Sequence, residues 1–198
     1  MGKVSTGASM SIDGYIAGPN ESGFDLLFQW YGNGDVELPT GNPEMTFKTT
    51  KASAEHWQNM TKSLGALVVG RHLYDFTGAW GGRHPLDVTT VVLTHNPPAD
   101  RPLADENFVF VTEGIEAAVA KAKEIAGDKN VGLNGGQIGR QALDAGLVDE
   151  IGVDLVPVLL GGGTPFFPSL GVKPVQLEGP TSVVEGKAVT HLTYRVKK

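Results

Sequence analysis

A chain of 198 residues, 40% hydrophobic and 19% charged, has room for one domain with a real core and does not read as disordered. Its net charge of −6 argues against broad binding to nucleic acid or acidic membranes, and no apolar run reaches membrane-spanning length. With no cysteine, disulfides, thiolate metal sites and cysteine nucleophiles are excluded, and no metal ligand set is expected. The opening MGKVSTGASM lacks a long apolar stretch, so a secretory leader is not expected and the cytoplasm is the expected location.

In chain order, Lys3 to Ser11 is small and β-compatible and predicts the first strand. Asp13-Gly14 and Gly18-Pro19 are turn signals. Asp13 either bonds its own backbone in a turn or places a carboxylate beside a ligand at the strand end. Asn20 to Thr50 has little periodicity but carries Phe24, Phe28, Trp30, Tyr31 and Phe47. Such a stretch suits a lid or pocket wall, and its aromatics suit a planar ligand, a satellite core or a subunit contact.

Ser53 to Leu64 predicts a helix capped by Ser53, with Ala54, Trp57, Met60 and Leu64 on one face and Glu55 and His56 beside it. Ala66 to Val69 is a buried strand, followed by Gly70-Arg71, where a guanidinium suits phosphate. Arg83 and His84 lie in a Gly-rich loop as cationic candidates. Thr89 to Thr94 predicts the next strand, stopped at His95-Asn96-Pro97-Pro98, and Phe108 to Val111 another. Thr112 is the expected cap of a helix over Ile115 to Ala126.

A strand ending at Leu133, the pair Gly135-Gly136, a helix over Gln137 to Ala145 and a strand over Ile151 to Leu160 form a βαβ unit with parallel strands. Glycines before a helix N-terminus suit a phosphate or pyrophosphate, or merely make a tight turn. The spacing is Gly-Gly-x-x-Gly, not the G-x-G-x-x-G fingerprint. Val175 to Glu178, Ser182 to Val184 and Ala188 to Val196 predict the closing strands, the last two joined by a turn at Glu185-Gly186-Lys187. No linker splits the chain, so residues 1–198 are expected to form one domain.

Five stretches in order carry a resemblance. They are Ser11 to Ala17, Val68-Val69-Gly70-Arg71, Val91 to Thr94, Gly135-Gly136, and Leu147 to Glu150 leading to Pro157 to Gly161. The chain resembles the dihydrofolate-reductase-like fold, specifically the riboflavin-biosynthesis reductase (RibD C-terminal domain) family. The resemblance implies an α/β, three-layer, mostly parallel twisted sheet with flanking helices and a C-terminal antiparallel hairpin. It also implies a cytoplasmic, NADPH-dependent oxidoreductase acting on a heterocyclic or carbonyl small molecule, of the 5-amino-6-(5-phosphoribosylamino)uracil reductase type. Dihydrofolate or pterin reduction, and a non-catalytic nucleotide binder of the same fold, are the alternatives.

By the same resemblance Gly70 and Arg71 hold cofactor phosphate, and Thr94 and His95 flank the adenosine 2′-phosphate. Gly135, Gly136, Gln137 and Ile138 form the pyrophosphate turn, and Ala8, Ile16 and Ala17 surround the nicotinamide. Trp57, Glu55 and Arg83 fall to the substrate and Asp13 to catalysis. Dihydrofolate reductases carry a pterin carboxylate on the helix before the Gly-Arg strand, where this chain has Ala54. The deaminase domain that often precedes such a reductase has no counterpart in these 198 residues. A homodimer is expected, with Val189, Leu192, Tyr194 and Val196 offered to the partner.

Overall fold

Strand β1 (Val4–Ser11) runs between two parallel neighbours, β8 (Asn130–Asn134) and β9 (Glu150–Val156). The computed structural model describes residues 2–43, 45–100, 104–171 and 174–198. Beyond β8 the sheet continues in parallel through β5 (Leu64–Gly70), β6 (Thr89–Leu93) and β7 (Phe108–Val111). Beyond β9 lies an antiparallel hairpin of β12 (Val189–Val196) and β11 (Leu177–Gly186), which gives the order β11-β12-β9-β1-β8-β5-β6-β7. This is the expected mostly parallel, dihydrofolate-reductase-like sheet.

Alternation along the strands sends side chains to both faces. Val68 and Val91 face a core with Ala118, Val119 and Ala122 of α4 (Ile115–Ala126) and Ile138 and Ala142 of α5 (Gln137–Asp144). Val69 and Val92 face the other side, with Tyr74 of α3 (Arg71–Phe76) and Phe108. On that side too, under β9 and β12, Trp30, Leu38, Ala54, Trp57, Val156 and Val189 form a third cluster beneath α2 (Lys51–Ser63). Each fully buried Val, Leu or Phe among them contributes roughly 1.5–3 kcal/mol. Helices on both faces make three layers.

Several boundaries differ from the sequence reading for local reasons. Helix α2 starts two residues before Ser53 because the Thr50 side chain accepts from Ser53 N–H and is the cap. Gly114, not Thr112, caps α4. Strand β9 stops at Val156 because Pro157 has no N–H to donate. The closing strands are one pair, with the irregularity between Glu178 and Ser182, and the turn falls at Lys187-Ala188.

The 20–50 stretch is not structureless. After β2 (Tyr15–Ala17), which pairs antiparallel with β10 (Thr164–Pro165), it holds a short helix α1 (Phe24–Leu27), a 3-10 turn (Gln29–Tyr31) and a hairpin of β3 (Val36–Pro39) and β4 (Thr46–Thr49). Of its aromatics, Trp30, Tyr31 and Phe47 join the third cluster: Tyr31 stacks on Phe47 at 4.2 Å, and Trp57 meets both edge-on at 5.7 and 5.3 Å. Three of the four β12 residues offered to a partner are used inside the chain. Leu192 and Val196 pack on the first core and Val189 belongs to the third, while the outer strand β11 exposes Leu177 and Val183.

Gly139 sets how closely α5 lies on β1. A Cβ there would sit 2.5 Å from Thr6 Oγ1 and 3.3 Å from the Asn134 carbonyl oxygen. Gly139→Val should therefore lower the unfolding free energy by about 1–3 kcal/mol in urea titration. An unchanged midpoint would mean that α5 moves freely off the strand.

Candidate active site

The carboxyl ends of β1, β8, β5 and β6 open into one cleft of about 1590 Å³. The chain leaves β1 toward β5 on one side, and β8 crosses back over β1 to reach β9, so the strand order reverses here. Open α/β sheets bind ligands at such a reversal.

The floor is continuous. A Cβ on Gly135 would lie 3.3 Å from Ala8 Cβ and 3.6 Å from Ile16 Cδ1, and one on Gly136 would lie 3.4 Å from Ile16 Cδ1. One on Gly70 would lie 3.5 Å from Ile138 Cγ1. From Gly70 the chain enters Arg71, whose Nε donates to both carboxylate oxygens of Asp75 at 2.8 Å and whose Nη1 donates to the Asn96 carbonyl. The guanidinium is thus aimed by two neighbours, and its Nη2 has no partner among the described residues. Thr94 and His95 complete this end. The Thr94 hydroxyl is turned inward, accepting from Asn96 N–H at 3.2 Å, so exposed His95 and Arg71 present the polar surface there. All eleven residues expected around a cofactor line this cleft: Ala8, Ile16, Ala17, Gly70, Arg71, Thr94, His95, Gly135, Gly136, Gln137 and Ile138.

Gly136 caps α5 with φ 77°, a conformation that disfavours any side chain, and no side chain caps this helix. Its own N–H donates to the Phe166 carbonyl at 2.8 Å. The first intrahelical bond runs from Arg140 N–H to the Gly136 carbonyl at 2.9 Å, so Gln137 and Ile138 N–H are left to the cleft.

Two expectations are corrected. Asp13 does not line the cleft. Its carboxylate accepts from Ser11 Oγ at 2.6 Å, Leu160 N–H at 3.1 Å and Gly161 N–H at 2.7 Å. The Ser11 hydroxyl above all, with the two amides, holds it below its ordinary 3.8. In this geometry Asp13 ties two loops together instead of facing a substrate. Arg83 also lies outside the cleft wall, paired with Asp87 four residues on. Trp57 and Glu55 do line it, Trp57 as a buried wall and Glu55 at the rim beside Lys51 Nζ at 3.9 Å.

At the β9 end lies a cluster that the sequence reading passed over. Ser9, Asp154 and His191 are direct cross-strand partners on β1, β9 and β12. A carboxylate only accepts, so His191 Nδ1 donates to Asp154 Oδ1 at 2.6 Å, and in neutral His191 Nε2 accepts from Ser53 Oγ at 2.9 Å. His56 stacks on His191 at 4.3 Å with Nε2 3.9 Å from Asp154 Oδ1. Burial, then the neighbouring His191, pushes His56 below its usual range. Trp30 Nε1 donates to Ser9 Oγ at 3.1 Å. Burial, helped by the Asp154 charge, pushes the Tyr31 phenol far up, so it stays neutral.

Residues 3–189 match the family of the RibD C-terminal domain. The chain belongs to the RibD C-terminal domain family. An uncharacterized protein of Bacillus subtilis (strain 168), YwjB, is 25% identical over 164 residues, covering 82% of this chain and 80% of its own. A putative riboflavin biosynthesis protein from Shewanella sp. PV-4 superposes with a TM-score of 0.72 at 20% identity, over 99% of both chains. Dihydrofolate reductase from Enterococcus faecalis, complexed with NADP(H), superposes with a TM-score of 0.57 at 19% identity, over 99% of this chain and 97% of its own. These superpositions show the shared fold. Among the described residues no helix is long and apolar enough to cross a membrane.

One wall residue of this RibD C-terminal domain makes stability pH-dependent. His84 packs edge-on against Trp80 at 4.3 Å, its Nδ1 accepts from Leu86 N–H at 3.1 Å, and burial pushes it down to about 3. Between that value and the unfolded value near 6.5 the unfolded chain binds the extra proton, so stability falls as pH falls. This group should contribute a slope of about 1.4 kcal/mol per pH unit below pH 6.5. His84→Asn should flatten urea-derived stability between about pH 6.5 and 5, above most carboxylate titration; an unchanged slope would reject the assignment.

Proposed function

We propose that this chain is an NADPH-dependent reductase of a small heterocyclic or carbonyl compound. The observation that carries the reading is the unbroken floor from Ala8 through Gly135 and Ile138 to Gly70 and Arg71. From Ala8 on β1 to Gly70 at the end of β5 it spans two strand steps of about 4.8 Å, and Thr94 and His95 after β6 carry the cleft one step further, roughly 14 Å in all, which suits an extended dinucleotide. Membership of the RibD C-terminal domain family and the fold shared with an NADP(H)-binding dihydrofolate reductase support it.

The residues present fit the cofactor. The free N–H groups of Gln137 and Ile138, beside two glycines, suit a pyrophosphate. The aimed guanidinium of Arg71, with His95, suits the additional phosphate of NADPH. Ala8, Ile16 and Ala17 offer a small apolar bed for the nicotinamide. When bound, NADPH supplies a hydride to a C=N or C=O carbon. The chain's own part is to orient the acceptor and exclude water with Trp30, Tyr31, Phe47 and Trp57. A proton must reach the reduced group, and the titratable side chains that line this end of the cleft include Glu55, His56 and Asp154, but not Asp13. Family membership favours a pyrimidine such as 5-amino-6-(5-phosphoribosylamino)uracil. Ala54, buried in the third cluster, weakens the pterin reading.

NADPH should bind more tightly than NADH, and Arg71→Ala should weaken NADPH by about 1–3 kcal/mol with a smaller effect on NADH. Fluorescence titration of both dinucleotides checks this, and equal dissociation constants would reject it. Oxidation of NADPH with aminopyrimidine, pterin or carbonyl acceptors separates an enzyme from a mere binder. We also propose a homodimer, through the exposed edge β11 in place of β12. A sedimentation mass near 20.9 kDa at micromolar concentrations would reject that.

A further inference from the structure

The substrate end of the cleft carries a carboxylate with unused capacity. Asp154 reaches the cleft with a quarter of its side chain exposed, while His191 behind it is fully buried. Oδ1 takes the His191 Nδ1 bond at 2.6 Å, and among the described residues Oδ2 accepts no hydrogen bond. The chain of donors is continuous. Thr50 Oγ1 donates to Ser53 Oγ at 3.2 Å, and the Ser53 hydroxyl to His191 Nε2 at 2.9 Å, leaving Nδ1–H for Asp154. Trp30 meets the His191 ring edge-on at 5.0 Å and limits its rotation. Side chains so locked hold a first contact in place. The Asp154 charge is felt by Tyr31, which packs with Phe47 and Trp57 into an aromatic wall lining the same cleft.

The charges around this end exclude one substrate feature. Among the described lining residues Arg71 is the one lysine or arginine. It follows β5, three strand steps from β9, so roughly 14 Å away. Glu55 lines the same end as Asp154, and Lys51 at the rim is already paired with it. A phosphate carried by a substrate here meets carboxylates and no cation, and like charges brought together this way are unfavourable.

We propose that Asp154 is the substrate-binding carboxylate of this cleft, that His191 is its positioning residue, and that the ligand is an unphosphorylated planar heterocycle offering adjacent N–H donors. The ring lies against the cleft-facing side of the Tyr31, Phe47 and Trp57 wall, and two ring-edge N–H groups donate to Asp154. This rests on the reductase reading for what happens next, but not for the binding itself. It departs from the phosphoribosylated pyrimidine that family membership favours, keeping the ring and dropping the ribose phosphate.

The experiment is calorimetric titration of the whole protein with 2-aminopyrimidin-4-one, whose ring N–H and amino group lie side by side. The same ring with a ribose phosphate, NADPH, and zinc or manganese alone are titrated in parallel. Wild type should bind the bare ring, with the phosphorylated ring no tighter. Asp154→Asn should lose about tenfold or more in ring affinity, the range for a hydrogen bond to a charged group, with NADPH affinity within about twofold. His191→Asn, whose amide occupies the place of Nδ1, should retain more ring affinity than His191→Phe at matched melting temperature. No ring binding to wild type, unchanged affinity in Asp154→Asn, or a phosphorylated ring bound more than tenfold tighter would each overturn the proposal. So would stoichiometric metal binding lost in Asp154→Asn, since His56, Asp154 and His191 place ligand atoms within 4.8 Å of one another. The wild-type comparison of the two rings decides the matter even if a variant fails to fold. Absence of NADPH binding would sink the reductase reading and leave the ring result standing.

Discussion

Helix α5 has to lie on strand β1 with almost nothing between them. A Cβ on Gly139 would lie 2.5 Å from Thr6 Oγ1, closer than side chains come, and one on Gly135 would lie 3.3 Å from Ala8 Cβ, tighter than most. That approach brings the α5 N-terminus over the carboxyl end of β1, where the sheet order reverses. The third glycine of Gly-Gly-x-x-Gly therefore plays the packing role that the last glycine plays in the dinucleotide fingerprint, although the spacing differs. Gly136, with φ 77°, turns the chain, and Gly135 keeps the floor flat beside Ala8 and Ile16. If any of the three moved, the free N–H groups of Gln137 and Ile138 would no longer face the same cleft as Arg71.

Charge is distributed along that cleft in a definite direction. The β5 and β6 end holds a guanidinium aimed by Asp75 and the Asn96 carbonyl, with no lysine competing. The β9 end holds Asp154 and Glu55 among aromatic rings. An anionic ligand is drawn to the first end and a neutral N–H donor to the second. On the proposed reading, two ligands of opposite demand lie head to head over Ala8. A hydride donor and acceptor need that arrangement to react without exchanging places.

What was legible in the sequence is what is local. Glycine pairs, Pro157, the apolar strands of β5 and β6 and the helical face of Ala54 and Trp57 each follow from near neighbours, and from them the layers follow. What stayed hidden depends on register. Asp154 sits in a run of alternating β residues where an aspartate reads as a solvated face, and His191 sits in the terminal hairpin, 37 residues away. Nothing in either neighbourhood marks them as opposite one another. Asp13 failed in the other direction. Its Asp-Gly turn signal was sound, but its amide partners, Leu160 and Gly161, come from a loop nearly 150 residues on. The turn and tether explain it without chemistry.

The antiparallel hairpin at the end of the chain now acquires a reason. A parallel neighbour of β9 would need another crossover, with its connection over the sheet face. The β12 strand instead enters by the hairpin and meets β9 antiparallel, with Asp154 and His191 as direct partners and side chains on the same face. The donor chain from Thr50 then arrives from above, off the first turn of α2, because that helix packs on the hairpin and a Cβ on Gly186 would lie 2.3 Å from Ser53 Oγ. Sheet edge, helix cap and buried imidazole thus meet behind one carboxylate. The terminal hairpin holds the Asp154 end of the cleft as firmly as the glycines hold the other.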